Sequence, residues 1–382
     1  MAEQDPRKQP RRGVAVLGAG MIAAVHRRAA LLAGAEVTGV LASTPERSRE
    51  VADQWRISTG YRDLAEVLED ERVEVVHVCT PNATHAEYAE AALRAGKHVI
   101  CEKPLGVSVE QAGRMAALAE QSGLVATVPF VYRYHPIVRE LRARVRSGEL
   151  GDRLLLVHGS YLQDWMLSPD VSGWRVFPDS GGPSRAFADI GSHWCDLVEW
   201  ITGDPFAELT AATSVAVPDR PGSGGPSFGG SGSGERIPVR TEDSATLLLR
   251  TGTGVLASAT ISQVAAGRKN RLWFELDGSG GSAVFDQERP ESIWLGGADE
   301  SRIVVRDNGT GSPEQRRLSQ LPAGHAQGYA QCFEAFVADT YAAVDGAVPD
   351  GLPGFADGLR SARLVDAVLR SARDGSWTKV ER

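Results

Sequence analysis

The stretch Gly13-Val14-Ala15-Val16-Leu17-Gly18-Ala19-Gly20-Met21-Ile22-Ala23 decides the fold. Five small apolar residues make a buried strand, and the glycine pair after them opens a helical pattern that runs through Val25 and Leu32. This is the G-x-G-x-x-G/A form, with Ala23 in the third place. The glycines permit a tight turn and let backbone N–H groups approach a pyrophosphate, while the helix N-terminus adds partial positive charge. Gly18, Gly20, Met21 and Ile22 are therefore expected to hold a dinucleotide.

The alternation of strand and helix continues downstream. Glu36 to Ala42 reads as a second strand, and Pro45 to Trp55 as a helix with proline in its first turn. Val73–Thr80, His98–Cys101 and Leu124–Pro129 follow as three more strands. Such βαβ units predict a parallel, doubly wound Rossmann domain over 13–130, with its ligand at the carboxyl ends of the strands. Ahead of it, residues 1–12 are polar, carry Pro6 and Pro10 but no apolar leader, and read as a disordered tail.

Beyond about residue 150 strands follow one another: Arg153–Tyr161, Glu208–Val217, Ser244–Arg250, Gly254–Gln263, Arg271–Asp277, Gly281–Asp286, Ser292–Leu295 and Arg302–Val305. Helical patterns are placed at Gly191–Ile201, His325–Val344 and Phe355–Arg373. Residues 131–382 are thus expected to form an α+β domain with a large, mainly antiparallel open sheet. The fold class is α/β, a Rossmann domain plus this second domain. Residues 218–234, crowded with Gly, Ser and Pro, read as a flexible loop or hairpin tip.

Composition narrows the partners. A chain of 382 residues exceeds one ordinary core, which suits two domains. A net charge of -8 argues against nucleic acid or an anionic membrane, both of which need basic surfaces. No apolar run reaches the roughly 20 residues of a membrane span. Cys79, Cys101, Cys195 and Cys332 include no CxxC pair. With no leader in front, reduced thiols and a cytoplasmic location are expected.

The second strand leads into Leu41-Ala42-Ser43-Thr44-Pro45-Glu46-Arg47. An acidic residue there would bind the adenosine ribose of NAD. Instead, Ser43, Thr44 and Arg47 could hold a 2′-phosphate, which favours NADP over NAD. The plainer reading has Thr44 capping the helix and Arg47 solvated. The third strand ends in Thr80-Pro81-Asn82-Ala83-Thr84-His85, where Asn82 suits both a helix N-cap for Ala83–Ala95 and a nicotinamide-ribose contact.

Two later motifs are Cys101-Glu102-Lys103-Pro104 and Asp189-Ile190-Gly191-Ser192-His193-Trp194-Cys195-Asp196. With the glycine loop and the Thr-Pro-Asn-x-x-His stretch, they resemble the glucose–fructose oxidoreductase / inositol dehydrogenase (Gfo/Idh/MocA) family over nearly the whole chain past the tail. The resemblance implies a nicotinamide-dependent oxidoreductase. It also implies a second-domain sheet that joins a homodimer or homotetramer. By position, Lys103, Asp189 and His193 look like the family's catalytic group. Glu102, with Thr80, Pro81, Asn82 and His85, looks like a set of cofactor contacts.

Tyr161-Leu162-Gln163-Asp164-Trp165, Gly173-Trp174-Arg175, Gly267-Arg268-Lys269-Asn270, and Gly324-His325 followed by Gly328-Tyr329 are similar to sugar dehydrogenases of the levoglucosan-dehydrogenase type. The Trp174-Arg175 pair looks like a cofactor contact reaching over from the second domain. Phe130-Val131-Tyr132-Arg133-Tyr134 departs from the more usual Asn-Tyr-Arg-Arg form, so the exact sugar does not carry over.

The residues themselves suit alcohol oxidation. A base must take the hydroxyl proton while hydride leaves the same carbon, and histidine titrates nearest neutrality. Asp189 and His193 are four apart, on one helix face, so the carboxylate could orient the imidazole, cap the helix, or contact substrate. Lys103, beyond a buried strand at the sheet's carboxyl end, can polarise the reacting oxygen. Tyr132, Gln163, Trp174 and His325 are wall residues for a hydroxyl-rich, sugar-like ligand, or core.

The histidines lack metal-ligand spacing beyond the Asp189/His193 pair, so no metal is expected. Arg139, Arg142, Arg144 and Arg146 span several faces of one helix and read as solvated or at a subunit contact. Two rival functions are an NAD-dependent glycosidase on the same fold and a non-catalytic dinucleotide-binding subunit.

Overall fold

A computed structural model of the chain describes residues 11–223 and 230–381. The first layer is a parallel sheet of β1 (Gly13–Leu17), β2 (Glu36–Leu41), β3 (Thr59–Gly60), β4 (Val75–Val78), β5 (His98–Cys101) and β6 (Ala126–Thr127), in the order β3-β2-β1-β4-β5-β6. Its crossovers are α1 (Met21–Leu32), α2 (Pro45–Trp55), α3 (Leu64–Glu69), α4 (His85–Arg94) and α5 (Val109–Ser122). β1 is buried at every position, as a central strand covered on both faces must be. The order reverses at β1, between β2 and β4, and that switch point opens a crevice at the carboxyl ends. The predicted strands are all present. Thr59–Gly60 and Leu64–Glu69 are additions too short to announce a period.

After α6 (Pro136–Arg146) the chain builds the second sheet from β7 (Leu154–Leu162) and, past α7 (Pro178–Gly181) and α8 (Ser192–Thr202), β8 (Phe206–Ser214). Next comes a hairpin of β9 (Asp219–Ser223) and β10 (Ser233–Pro238). Then follow β11 (Ser244–Thr251), β12 (Leu256–Ser262), β13 (Arg271–Gly278), β14 (Ser282–Asp286), β15 (Ser292–Gly296) and β16 (Ser301–Val305). α9 (Pro313–Leu318), α10 (Tyr329–Val344), α11 (Phe355–Asp374) and β17 (Thr378–Lys379) complete the order.

The nine strands run β16-β15-β14-β13-β7-β12-β11-β8-β17, antiparallel except for the pair β7 and β12. That parallel pair brings two carboxyl ends, and therefore Gln163 and Gln263, to the same edge of the sheet. The 218–234 segment contains the β9–β10 hairpin, and its residues 224–229 lie outside the described residues.

α8 and α11 pack on the inner face of this sheet, around Trp194, Leu197, Val198, Leu364 and Val368. Trp194 Nε1 donates to the Trp273 carbonyl at 3.0 Å. A Cβ at Gly159 would stand 2.5 Å from that indole nitrogen, so only glycine lets the helix settle here. α10 turns back to the parallel sheet, where Cys332, Phe333 and Phe336 pack with Val14 and Val16.

Two sequence readings need correction. Arg12, assigned to the tail, is anchored by Glu74, Asp345 and the Tyr341 carbonyl, while residues 1–10 lie outside the described residues. Arg139 and Arg142 are buried, not solvated: their guanidinium groups lie over Trp200, at 4.7 and 3.9 Å, and both reach Asp350. Cation–π contact and paired charge offset the desolvation that a lone arginine would suffer.

Candidate active site

At the crevice, β1 is followed by Gly18 with φ +108, and a Cβ there would lie 2.4 Å from the Cys79 carbonyl. The chain can therefore turn between β1 and the end of β4 only with glycine. Gly20 stands at the N-cap of α1 and offers no side-chain cap, which leaves the first-turn N–H groups free for an anion. From this turn a cleft of about 810 Å³ runs along the sheet's carboxyl edge to the second sheet. It is lined at one end by Gly18, Gly20, Met21, Ile22, Ser43 and Arg47, and along its length by Thr80, Pro81, Asn82 and His85. Glu102, Lys103, Asp189 and His193 line its far end, with Tyr132, Gln163, Trp174 and Arg175.

Lys103 and Asp189 are the closest ion pair at that end. Nζ donates to both the main-chain oxygen and Oδ1 of Asp189, each at 2.7 Å. Gln263 Nε2 donates to Oδ2 at 2.7 Å, and Arg175 Nε lies 3.7 Å from Oδ1. Burial alone would raise the Asp189 pKa, but the charges of Lys103 and Arg175 overcome it and hold the carboxyl well below the usual range. Asp189 sits in a single π-helical turn, Phe187–Gly191, that leads into α8. Such turns re-aim side chains within a helix.

His193 sits at the start of α8, 8% exposed, with the Tyr132 ring edge-on at 5.0 Å and Phe130 at 5.7 Å. Burial and the nearby Lys103 charge keep its pKa well below the usual histidine value, so the ring is neutral. Its Nδ1 is enclosed and has no hydrogen-bond partner among the described residues. A polar wall faces it. The Tyr132 and Tyr161 hydroxyls are 2.6 Å apart, Tyr161 donates to Asn270 Oδ1 at 2.7 Å, and Gln163 Nε2 donates to the same oxygen at 2.8 Å. Trp165 Nε1 donates to Gln163 Oε1 at 2.8 Å.

Some sequence assignments change. Asp189 does not cap a helix, because Gly191 holds that place, and its carboxylate is bound to Lys103 and Gln263 rather than to the imidazole. Aromatic packing orients His193 instead. Asn82 does not cap either: its Nδ2 donates 2.8 Å to the Gly181 carbonyl, tying the end of β4 to the second domain. Thr44 lies outside the cleft lining, and its side-chain oxygen caps α2, accepting from the Arg47 amide at 3.1 Å. His325 is exposed, in a turn whose carbonyl accepts from Arg306, and is no part of the wall.

Lining residues given no role from the sequence include Tyr88, Tyr161, Trp165, Lys269, Asn270 and Tyr329. Gln263 was missed too, and no local pattern marks it. Among the described residues the only grouping of metal-ligand type is His158, Glu275 and Asp277, with ligand atoms within 4.8 Å. It arises from cross-strand pairing of β7 and β13, which residue spacing cannot show.

Fold and cleft together define a dinucleotide-binding oxidoreductase of two domains. The chain matches the "Oxidoreductase family, NAD-binding Rossmann fold" over residues 12–130 and the GFO/IDH/MocA C-terminal domain over 138–284. It belongs to the Gfo/Idh/MocA oxidoreductase family. Among its relatives, levoglucosan dehydrogenase of Pseudarthrobacter phenanthrenivorans is 33% identical over 348 residues, 88% of each chain. A solved levoglucosan dehydrogenase in complex with NADH and levoglucosan superposes with a TM-score of 0.87 at 29% identity, covering 97% of this chain and 99% of that one. An inositol dehydrogenase homologue from Azotobacter vinelandii, complexed with NADH and myo-inositol, superposes with a TM-score of 0.84 at 25% identity over 97% of both chains. The four cysteines are buried and free, and no helix among the described residues is long and apolar enough to cross a membrane.

Proposed function

We propose that this protein oxidises a secondary hydroxyl of a sugar, anhydrosugar or cyclitol, or reduces the corresponding ketone, with Lys103, Asp189 and His193 as its catalytic group. The observation that carries this reading is the convergence of these three residues, from the loop after β5 and from the start of α8, at the end of a cleft that begins on the Gly18–Gly20 turn. A bound nicotinamide supplies hydride acceptance or donation.

The protein's own residues do the rest. The Lys103 ammonium, held by Asp189, offers a fixed positive charge to the reacting oxygen, where negative charge develops. Neutral His193 can take the hydroxyl proton, and return it in the reverse direction. The Tyr161–Asn270–Gln163 wall presents donors and acceptors suited to the other hydroxyls of a polyol. The relatives named for levoglucosan and inositol act on ligands of that chemistry, which supports the class.

The adenosine end bears on cofactor choice. Leu41, Ala42, Ser43 and Arg47 line it without a carboxylate, so a 2′-phosphate there meets a hydroxyl and a guanidinium, not a like charge. We assign NADP(H) as the tighter dinucleotide, with NAD(H) accepted. The open face of the second sheet, carrying Leu156, Leu248, Leu256 and Ile303 exposed, is the proposed homo-oligomer contact. The division at residue 130, into a cofactor domain and a substrate and assembly domain, belongs to the same reading. Turnover of the Lys103→Ala and His193→Ala variants tests the central assignment.

A further inference from the structure

Behind the cleft wall, four titratable side chains with no part in the proposed chemistry form a continuous line. The Tyr341 hydroxyl lies 2.8 Å from His77 Nε2. His77 Nδ1 is 3.0 Å from His26 Nδ1, and His26 Nε2 is 3.0 Å from Glu102 Oε1. His26 and His77 are fully buried, and Tyr341 and Glu102 nearly so. The line joins α10, β4, α1 and the end of β5, and it stops at a carboxylate that lines the cleft beside Lys103. The other Glu102 oxygen, Oε2, accepts from the Lys103 amide at 3.1 Å.

Each contact needs one proton, and the carboxylate end settles where the last of them sits. Burial pushes the Glu102 carboxyl up, but the His26 bond and the His26 and Lys103 charges more than cancel it, so Glu102 is ionised and can only accept. Burial, with His26 as neighbour, keeps His77 neutral. His26 must then donate a hydrogen from Nε2 to Glu102. Between the two imidazoles one Nδ1 donates and the other accepts, and the Tyr341 hydroxyl completes the line at His77 Nε2.

We propose that His26 and His77 are positioning residues: the buried line Tyr341–His77–His26–Glu102 fixes Glu102 as the acceptor for a ribose hydroxyl of the bound dinucleotide. This rests on the cleft being the dinucleotide site. It makes affinity depend on a proton arrangement that reaches from the cleft to α10.

The charged and titratable groups facing the line are few. Glu102 meets His85 from α4, Tyr329 from α10, Lys103, and the thiols of Cys79 and Cys101, both pushed up by burial and so neutral. Tyr341 meets Arg12 and Glu74. Losing the His26 donor should therefore let the Glu102 pKa rise, so that affinity begins to fall at a higher pH.

The test measures NADH and NADPH dissociation constants against pH on the full chain, together with ¹⁵N histidine spectra of the free protein. His26→Leu should weaken the dinucleotide about tenfold or more, the scale of a lost hydrogen bond to a charged group, and move the acid limb upward. His26→Gln, whose amide can still donate to Glu102, should restore most of both. Tyr341→Phe should move the limb the same way by less, and it serves if His26→Leu fails to fold.

The spectra should show hydrogen on His26 Nε2. The proposal is overturned by a His26 ring without hydrogen at Nε2, by an unmoved acid limb in folded variants, or by His26→Gln binding no better than His26→Leu. If the unmodified protein binds neither dinucleotide, the cleft assignment falls and this proposal with it. If it binds and the variants match it, only this proposal falls.

Discussion

Lys103 Nζ lies 2.7 Å from both the main-chain oxygen and Oδ1 of Asp189, although the two residues are 86 positions apart and come from different domains of the proposed division. The contact joins the end of a parallel strand to the turn that enters α8. It places a fixed positive charge beside a neutral imidazole.

Removing either partner of the proposed chemistry should therefore affect turnover far more than cofactor binding. Lys103→Ala and His193→Ala should each lower kcat by about two orders of magnitude or more. His193→Ala should leave dinucleotide affinity nearly intact, as isothermal titration would show. Asp189→Asn should be intermediate, since it frees the lysine while leaving the charge itself.

Cofactor preference should follow charge at the end of β2. The unmodified protein should bind NADPH more tightly than NADH, and Ala42→Asp should reverse the order by repelling the 2′-phosphate. Equal or better NADH affinity in the unmodified protein would mean that Arg47, which pairs with Glu50 at 2.9 Å, reads no phosphate.

The glycine turn allows a sharper structural test. Gly18→Ala puts a Cβ against the Cys79 carbonyl at a backbone angle that L-residues avoid. It should cost about 1–2 kcal/mol in conformational strain alone, and abolish measurable dinucleotide binding. Full binding by the variant would show that the turn has room to relax.

Stability should fall in acid. Burial holds His77 and His193 well below the normal histidine pKa and pulls His135 down to about 4, so all three stay neutral in the fold. Unfolded, they titrate near 6.5. Between those values the unfolded chain binds more protons, so stability is present above about pH 6.5 and drains as pH falls, by about 1.4 kcal/mol per pH unit for each ring. Asp196, which burial pushes up to about 7, opposes this with one proton and leaves the net sign unchanged. Melting temperature measured from pH 8 to pH 5 should drop; a rise would refute the neutral assignments.

The fold was legible because its signals are local. Strand and helix periods, the Gly18–Gly20 turn and Pro45 each act within a few residues. The lining of the candidate site was legible where a motif carried it, as at Lys103, Asp189 and His193, which share one cleft. Partners distant in sequence were not. Asn82 looked like a cap because its true acceptor, the Gly181 carbonyl, is 99 residues away. Thr44 and Arg47 looked like a pair for phosphate or, on the plainer reading, a helix cap, and the Thr44 oxygen does cap the helix by accepting from the Arg47 amide. His325 sat in a family-like stretch, yet a turn leaves it in solvent. The lines Tyr161–Asn270 and His26–His77 exist only once strands and helices have docked.

The most direct test of the central claim follows reduced cofactor during steady turnover with levoglucosan, myo-inositol and a panel of related polyols. A dehydrogenase should form one NADPH or NADH per ketone produced, and His193→Ala should abolish most of that signal while still binding dinucleotide. Sugar product released without net cofactor reduction would instead identify a glycosidase. Dinucleotide binding with no turnover of any polyol or ketone, in either direction, would contradict the catalytic account.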